Sequence, residues 1–293
     1  MTNSPLSFRL QVSSQEAGMR LLAFLRKHCG EHSSVKGLKR AVESKGCRIN
    51  GRVETFSTRI LAGGDIVQLE IVSQEKRAPL VFLYEDADIL VCDKPAGVVC
   101  EGKNFSAKLV HRLDKETSGA LILAKKEEIY KKMVTLFSEK KVKKQYLALV
   151  GGEMRKKEGK IHNRLSKQHE YQGQTIYGSS KKGEEAITLW KCLGSNKGVS
   201  LVLCEPITGR THQIRVHLKE LGYPILGDYQ YGKTFKLPFQ PRRHLLHARK
   251  ISFPHPKTGA LIEVTAPIPQ DFLEALKLVD MSHLVEFFDQ EKK

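Results

Sequence analysis

Between residues 81 and 265 the chain is cut into short apolar runs separated by turns, and this spacing constrains its fold more than any other feature. The runs are Val81-Phe82-Leu83, Ile89-Leu90-Val91-Cys92, Ala120 to Leu123, Tyr146 to Val150, Ala186 to Leu189, Ser200 to Leu203, Leu245 to His247 and Leu261 to Thr265. Segments of that length with β-branched content read as strands. Helical spacing recurs in two places only: Ile129, Met133, Val134 and Phe137, then Ile214, Leu218 and Leu221 ahead of a terminating Gly222. Strands outnumber helices and do not alternate with them regularly. The expected class is therefore α+β, a large mixed or antiparallel β-sheet flanked by helices, rather than a doubly wound fold. A last helix is expected over Leu273 to Phe288, with the final charged residues frayed.

The first part of the chain reads differently. Leu21, Leu22, Phe24 and Leu25 form one apolar stripe, and Leu38, Ala41 and Val42 form a second after Ser33-Ser34, whose hydroxyls are natural N-caps. Asn50-Gly51 then turns between two β-prone pieces, and Ala62-Gly63-Gly64-Asp65 leads into Ile66 to Leu69. Lys36, Lys39, Arg40, Lys45, Arg48 and Arg52 crowd the same segment. The arrangement resembles the small αL RNA-binding module of the S-four type over roughly residues 15 to 70; a helical cap with a solvated charged face is the plainer alternative. The polar stretch 71–80, IVSQEKRAPL, is the expected linker, giving a module at 1–75 and a larger domain at 80–293.

Charge narrows the partner. There are 49 Lys and Arg against 32 Asp and Glu, a net charge of +17. Residues 1–78 carry 13 basic and 7 acidic side chains and the rest 36 and 25, so the excess is not confined to a tail. A polyanion partner is expected, RNA in preference to a membrane, because no lipidation motif and no long amphipathic basic helix accompanies the charge. No segment approaches 18 consecutive apolar residues, and the start MTNSPLSFRLQVSS lacks a basic stretch followed by an apolar run. The expected compartment is the cytoplasm, with a monomeric chain. The six cysteines form no C-x-x-C pair and lie mostly in apolar runs, as buried free thiols do; the eleven histidines show no metal-ligand spacing, so no metal is expected. Walker, Rossmann, G-x-S-x-G and H-E-x-x-H patterns are absent, so no cofactor is expected.

One polar segment stands between apolar runs: His111-Arg112-Leu113-Asp114-Lys115-Glu116-Thr117-Ser118-Gly119, followed by Ala120 to Leu123. Thr117-Ser118-Gly119 is a turn into the buried run, which puts Asp114 on a loop at the lip of the sheet. A carboxylate there suits a nucleophile or a base. A loop aspartate is more often a turn or cap former, and the residues alone leave the two readings open. Taken alone, Tyr146 is more often core than platform, and Lys125 to Lys144, with eight lysines, is by default a solvated helix face that beside an RNA cleft would contact phosphates. A glycoside hydrolase would want a second positioned acid; Glu116 is near, but nothing marks it as a partner.

The segment HRLDKETSGALILAK resembles the signature of the RluA-type pseudouridine synthases. Asp93-Lys94-Pro95-Ala96-Gly97 looks like the family's K-P-x-G motif, Lys144 to Val150 like its tyrosine strand, and Thr208 to Leu218 continuing through Gly222 to Asp228 like its arginine motif. Leu246-His247-Ala248 and Phe253-Pro254-His255-Pro256 fit as well, so the resemblance spans residues 80 to 270. It implies a pseudouridine synthase fold and isomerisation of uridine in structured RNA without cofactor. It further implies Asp114 as catalytic carboxylate, Tyr146 as the aromatic that stacks on the target uracil, Arg215 as partner of the aspartate, and Arg112 as the residue that takes the place of the flipped base. Lys94, His111, Arg210 and His212, within these motifs, complete the implied substrate and RNA contacts, Lys94-Pro95 forming the cleft wall. Only 13 residues separate Gly97 from His111, fewer than is usual in the family, which implies a trimmed substrate loop. With the S-four-like module in front, large-subunit ribosomal RNA is the expected substrate; transfer RNA and a catalytically silent RNA-binding role in ribosome assembly are the alternatives.

Overall fold

The protein is described from a computed structural model, which covers residues 6–71, 80–171, 174–232, 239 and 241–285. Most of the expected linker, residues 72–79, lies outside the described residues. The chain forms two compact units, Met1–Pro79 with Gln172–Gln174, and Leu80–Tyr171 with Thr175–Lys293.

In the first unit β1 (Leu6–Gln11), α1 (Leu21–Cys29), α2 (Val35–Glu43), β2 (Cys47–Ile49), β3 (Arg52–Glu54) and β4 (Ile66–Ile71) follow in order, and the strands pair antiparallel as β1-β4-β2-β3. Ser34 caps α2, its Oγ accepting the Gly37 N–H at 3.2 Å. Asn50 and Gly51 both take positive φ, 51° and 77°, as the two central residues of a tight hairpin turn must. The helices press Leu21, Phe24, Leu25, Leu38 and Val42 onto Val67 and Leu69 of β4, each fully buried. Strand β1 is not among the expected elements, although its Leu-Ser-Phe-Arg-Leu-Gln alternation is that of a half-buried strand. Lys36, Lys39, Arg40 and Arg48 are all exposed, opposite the apolar stripe of α2 and on the outer face of β2.

The second unit comprises β5 (Val81–Glu85), β6 (Ile89–Lys94), β7 (Lys108–Leu109), β8 (Ser118–Ala124), α3 (Glu127–Ser138), β9 (Lys143–Gly151), β10 (Glu158–Tyr171), β11 (Gln174–Ser179), β12 (Glu184–Asn196), β13 (Val199–Pro206), α4 (Gln213–Glu220), β14 (Leu246–Pro254), β15 (Leu261–Thr265) and α5 (Gln270–Leu278). Its 11-stranded sheet runs β11-β10-β12-β13-β9-β14-β8-β6-β5, with β15 on β14 and β7 on β8. The sheet is mixed because β14 lies parallel to β8. At that junction Gly119 pairs with Ala248, and a Cβ there would sit 2.3 Å from the Ala248 carbonyl oxygen on a backbone at φ 112°, so only glycine fits.

Side-chain alternation assigns the faces. Leu121, Leu123, Tyr146, Ala148 and Val150 pack on one face under Ile214 and Leu218 of α4. On the other, Ala120 and Ile122 pack against Ile129 and Met133 of α3, and Leu147 and Leu149 against Phe272, Ala275 and Leu276 of α5. At roughly 1.5–3 kcal/mol for each fully buried aliphatic or aromatic side chain, these two faces hold the sheet between its helices.

Three expectations about elements are corrected. The lysine-rich stretch 125–144 is not one helix: α3 ends at Ser138, Lys140 turns the chain at φ 58°, and Lys143 already belongs to β9. Several of its lysines are spent on ion pairs, Lys125 with Glu85 at 2.6 Å and Lys126 with Asp88 at 2.7 Å. The expected helix Leu273 to Phe288 is interrupted: α5 spans Gln270–Leu278, Asp280 turns at φ 52°, and residues 283–285 are helical again, while residues 286–288 lie outside the described residues. Strands β10 and β11 add to the expected set, their charged and polar residues masking the alternation.

Candidate active site

The polar segment 110–117 is a loop between β7 and β8, tied down at nearly every residue. His111 Nε2 accepts the Ile122 N–H at 3.0 Å and its ring lies 4.9 Å from that of Phe137. An imidazole used as an acceptor must be neutral, and burial, with the nearby Lys144 charge, pushes its pKa down to about 3. Leu113 is buried, and its N–H donates to Cys100 Sγ at 3.4 Å. The Lys115 carbonyl accepts from Gly97 N at 2.8 Å and from Lys94 Nζ at 3.1 Å, and Nζ also donates to the carbonyls of Pro95 and Val98. Thr117 Oγ1 meets His244 Nε2 at 2.8 Å, Ser118 Oγ meets His247 Nδ1 at 3.0 Å, and Arg243 donates to the Glu116 carbonyl while forking onto Asp271. The loop is thereby held from three directions, leaving Asp114 at its tip with a side chain 25% exposed.

Arg215 comes to this tip from α4. Its Nη1 donates to Asp114 Oδ2 at 3.1 Å, and its Nε and Nη2 fork onto Asp228 at 2.7 and 3.0 Å. Nη2 also reaches Gln230 Oε1 at 2.8 Å, and the guanidinium lies 4.9 Å above the Tyr231 ring. A buried guanidinium with five N–H groups needs several acceptors, and two carboxylates, an amide and a π face supply them. Burial raises the Asp114 pKa, but the Arg215 charge and hydrogen bond, with His212 and His244 beside it, more than reverse this and hold it below the ordinary carboxylate value. Asp228, its side chain 1% exposed, is held down in the same way and more strongly.

Tyr146 sits on β9, buried, paired with Cys204 on one side and Ala248 on the other. Burial, and next the Asp114 charge, raise its pKa, so the phenol stays neutral. His212 heads α4 in the left-handed conformation, φ 57°, its Nδ1 2.9 Å from Tyr231 Oη; burial and the adjacent Arg215 lower its pKa to about 4.

The structure thus brings Asp114, Arg215, Tyr146 and His212 together, with Arg112 exposed beside them. It does not bring Lys94, His111 and Arg210 into reach of a substrate in the expected way. Lys94 is fully buried, its ammonium consumed by three carbonyls, because an unpaired cation in the interior would be far costlier than one pointing inward to acceptors. His111 is spent on the Ile122 N–H at the edge of β8 and on the Phe137 ring. Arg210 is drawn away to the Glu185 carbonyl at 2.9 Å and the Glu184 carboxylate at 3.0 Å. Asp228, Gln230, Tyr231, Arg243 and His244 join the site without having been expected from the sequence. Asp228 carries one usable signal: a buried arginine at a single exposed aspartate is undersatisfied, and Asp228 closes the same motif.

Together with His111 and His212, three further imidazoles give a pH signature. Burial lowers the pKa of His217 to about 4 and of His244 and His247 to about 3. The unfolded chain protonates these groups near pH 6.5 and the folded chain does not. The stability they confer is therefore complete above pH 6.5 and is lost as pH falls toward their folded values, each adding a slope of up to about 1.4 kcal/mol per pH unit. Urea midpoints measured from pH 7.5 to pH 5 should fall steadily below pH 6.5; a flat profile would contradict neutral burial.

Residues 88–220 match the family model described as RNA pseudouridylate synthase. Over an alignment of 318 positions the chain is 32% identical to ribosomal large subunit pseudouridine synthase C of Escherichia coli K12, covering 94% of this chain and 98% of that protein. Its likeness to the protein of the same name from Salmonella typhi is also 32%, over 320 positions. Among solved structures, human RNA pseudouridylate synthase domain containing 4 superposes with a TM-score of 0.57 at 25% identity, covering 68% of this chain and 93% of that one.

Proposed function

The chain belongs to the RNA pseudouridylate synthase family, and from that premise we propose that it converts particular uridines of large-subunit ribosomal RNA to pseudouridine with Asp114 as the reactive carboxylate. The observation that carries the role of Asp114 is the contrast between the two carboxylates on Arg215. Asp228 is sealed in and serves as a permanent counter-ion, while Asp114, on the same guanidinium, keeps one side open and ionised. Attack on the ribose and removal of a ribose proton both require that ionised form. The carbon-nitrogen glycosidic bond breaks, the uracil turns, and its carbon 5 joins the ribose carbon from which the nitrogen departed; carbon 5 then gives up its proton and the freed ring nitrogen takes one up, so that product and substrate are isomers. Taking the base out of its stack costs a few kcal/mol. Tyr146 provides an aromatic surface for the extracted uracil, and the exposed Arg112, two residues from Asp114, fills the space left behind. The ribosomal substrate is supported by the names of the relatives, which align over nearly the whole chain. Such an enzyme works in the cytoplasm.

The test is to map pseudouridines in ribosomal and transfer RNA from cells with and without the protein. Sites that disappear only from the large-subunit RNA support the reading, sites that disappear only from transfer RNA change the substrate, and an unaltered map favours a silent binder.

The first unit acts in this scheme as an S-four-like RNA-binding module. Replacing the exposed Lys36, Lys39, Arg40 and Arg48 together by Gln should weaken RNA binding and flatten its dependence on log salt, by up to about one unit of slope for each phosphate no longer neutralised. Binding titrations at several salt concentrations decide this: an unchanged slope returns that face to a solvated surface.

A further inference from the structure

Among the described residues strand β11 is an edge of the large sheet, paired with β10 alone, and an edge leaves a row of backbone donors and acceptors open. Here three successive outward positions are taken by side chains. Gln230 Nε2 donates to the Thr175 carbonyl at 2.8 Å, the Tyr177 N–H donates to Tyr231 Oη at 3.0 Å, and the Ser179 N–H donates to Glu220 at 2.9 Å. Glu220 ends α4, the helix that carries Arg215. Gln230 and Tyr231 are the same two residues that hold the guanidinium, one through Oε1 and the other through its ring. A continuous path therefore runs from the Thr175 carbonyl through both ends of the Gln230 amide to Arg215 Nη2, and from Arg215 Nη1 to Asp114.

We propose that Gln230 is a positioning residue that couples the β10–β11 hairpin to the Asp114–Arg215 pair, so that RNA seated on the hairpin sets the pose of the reactive carboxylate. The RNA part rests on the function proposed above; the coupling itself does not. Strand β10 carries the exposed Lys160, on the part that pairs with β12, and the exposed Lys167, beside Glu170 on the hairpin, as contacts for RNA. Gln230 suits a coupler because a primary amide donates and accepts at opposite atoms, which neither a carboxylate nor an ammonium does.

The test uses the full chain. Gln230→Met keeps the length of the side chain and removes both bonds. Besides Arg215, the groups facing Asp114 are His212, His244, Lys94, Cys100 and Tyr146, with Tyr231 under the guanidinium, and none of them is altered by that change. In the free protein, carbon-13 NMR of the aspartate carboxyls should show the Asp114 midpoint rising by roughly half to one pH unit. Single-turnover conversion at saturating RNA should slow by about tenfold. Tyr231→Phe keeps the ring but loses the hydroxyl that takes the Tyr177 N–H. It also loses the contact of that hydroxyl with His212 Nδ1 at 2.9 Å, so it serves as a readout of binding alone: the RNA concentration needed for half-saturation should rise several-fold.

Coupling is reciprocal. Asp114→Ala should therefore quicken hydrogen exchange of the Tyr177 and Ser179 amides several-fold, and this variant keeps the Arg215–Asp228 fork even should Gln230→Met fold poorly. An unmoved Asp114 midpoint in folded Gln230→Met, or unchanged exchange in Asp114→Ala, overturns the proposal and leaves Gln230 as packing. The titration and exchange readouts need no RNA, so their failure is separate from a failure of the enzymatic reading.

Discussion

Asp114→Asn is expected to abolish pseudouridine formation, by more than about a thousandfold, while RNA affinity changes by only a few fold. The amide keeps the size of the carboxylate, and its oxygen can still accept the Arg215 Nη1 hydrogen bond now made at 3.1 Å. It loses the charge, and with it any capacity to attack the ribose or to take a proton. The fold should tolerate the change. Arg215 remains forked on Asp228 and bonded to Gln230, and a neutral hydrogen bond in place of the ion pair at a partly exposed side chain costs about 1 kcal/mol. Affinity for RNA should tighten slightly, since a negative charge leaves a cleft that faces phosphates. Single-turnover conversion of the cognate RNA, binding titration and thermal melting are measured together. A folded Asp114→Asn protein that converts uridine at the wild-type rate would move the chemistry to another residue.

Arg215→Lys should cost about 2–4 kcal/mol of stability and at least about a hundredfold in rate, although the charge is conserved. The guanidinium makes four hydrogen bonds to three side chains, and one ammonium nitrogen cannot span them. Asp228 is sealed from water and cannot be left unpaired, whereas Asp114 can be solvated on its open side. The ammonium therefore goes to Asp228, and Asp114 loses its partner. Burial then acts on Asp114 unopposed and its pKa climbs from below the ordinary carboxylate value to above it. In the wild-type protein the depressed pKa contributes stability that is present above about pH 4 and lost as pH falls through the folded value; in the variant that contribution disappears, and the acid limb of the rate moves upward. Rate against pH and urea unfolding at pH 7 check the two halves. A variant with wild-type stability and an unmoved acid limb would show that the fork is dispensable.

Much of the candidate site is legible in the residues themselves. Asp114 falls on a loop at the sheet's lip as expected, although the turn after it is made by Lys115 and Glu116, while Ser118 and Gly119, expected to turn, already belong to β8, where they are buried and pair with β14. Tyr146 shares a face with Ala148 and Val150, with Leu147 and Leu149 behind, because side chains alternate along a strand; the packing clusters divide along those lines. The cap at Ser34 and the turn at Asn50-Gly51 stand where the residue types require them. The partner of Asp114 follows from the family resemblance alone, since no local rule links positions 101 residues apart.

Alternation, capping and turn chemistry act over a few residues, and those features were determined by the sequence itself. The inward turn of Lys94, the neutral acceptor role of His111, the diversion of Arg210 and the bracing of Thr117 by His244, 127 residues away, were decided by the tertiary structure. A lysine, histidine or arginine carries the same local preferences whether it meets RNA or a carbonyl. Which of these it meets depends on the acceptors that distant segments bring to it, and on the cost of burying a charge that finds none.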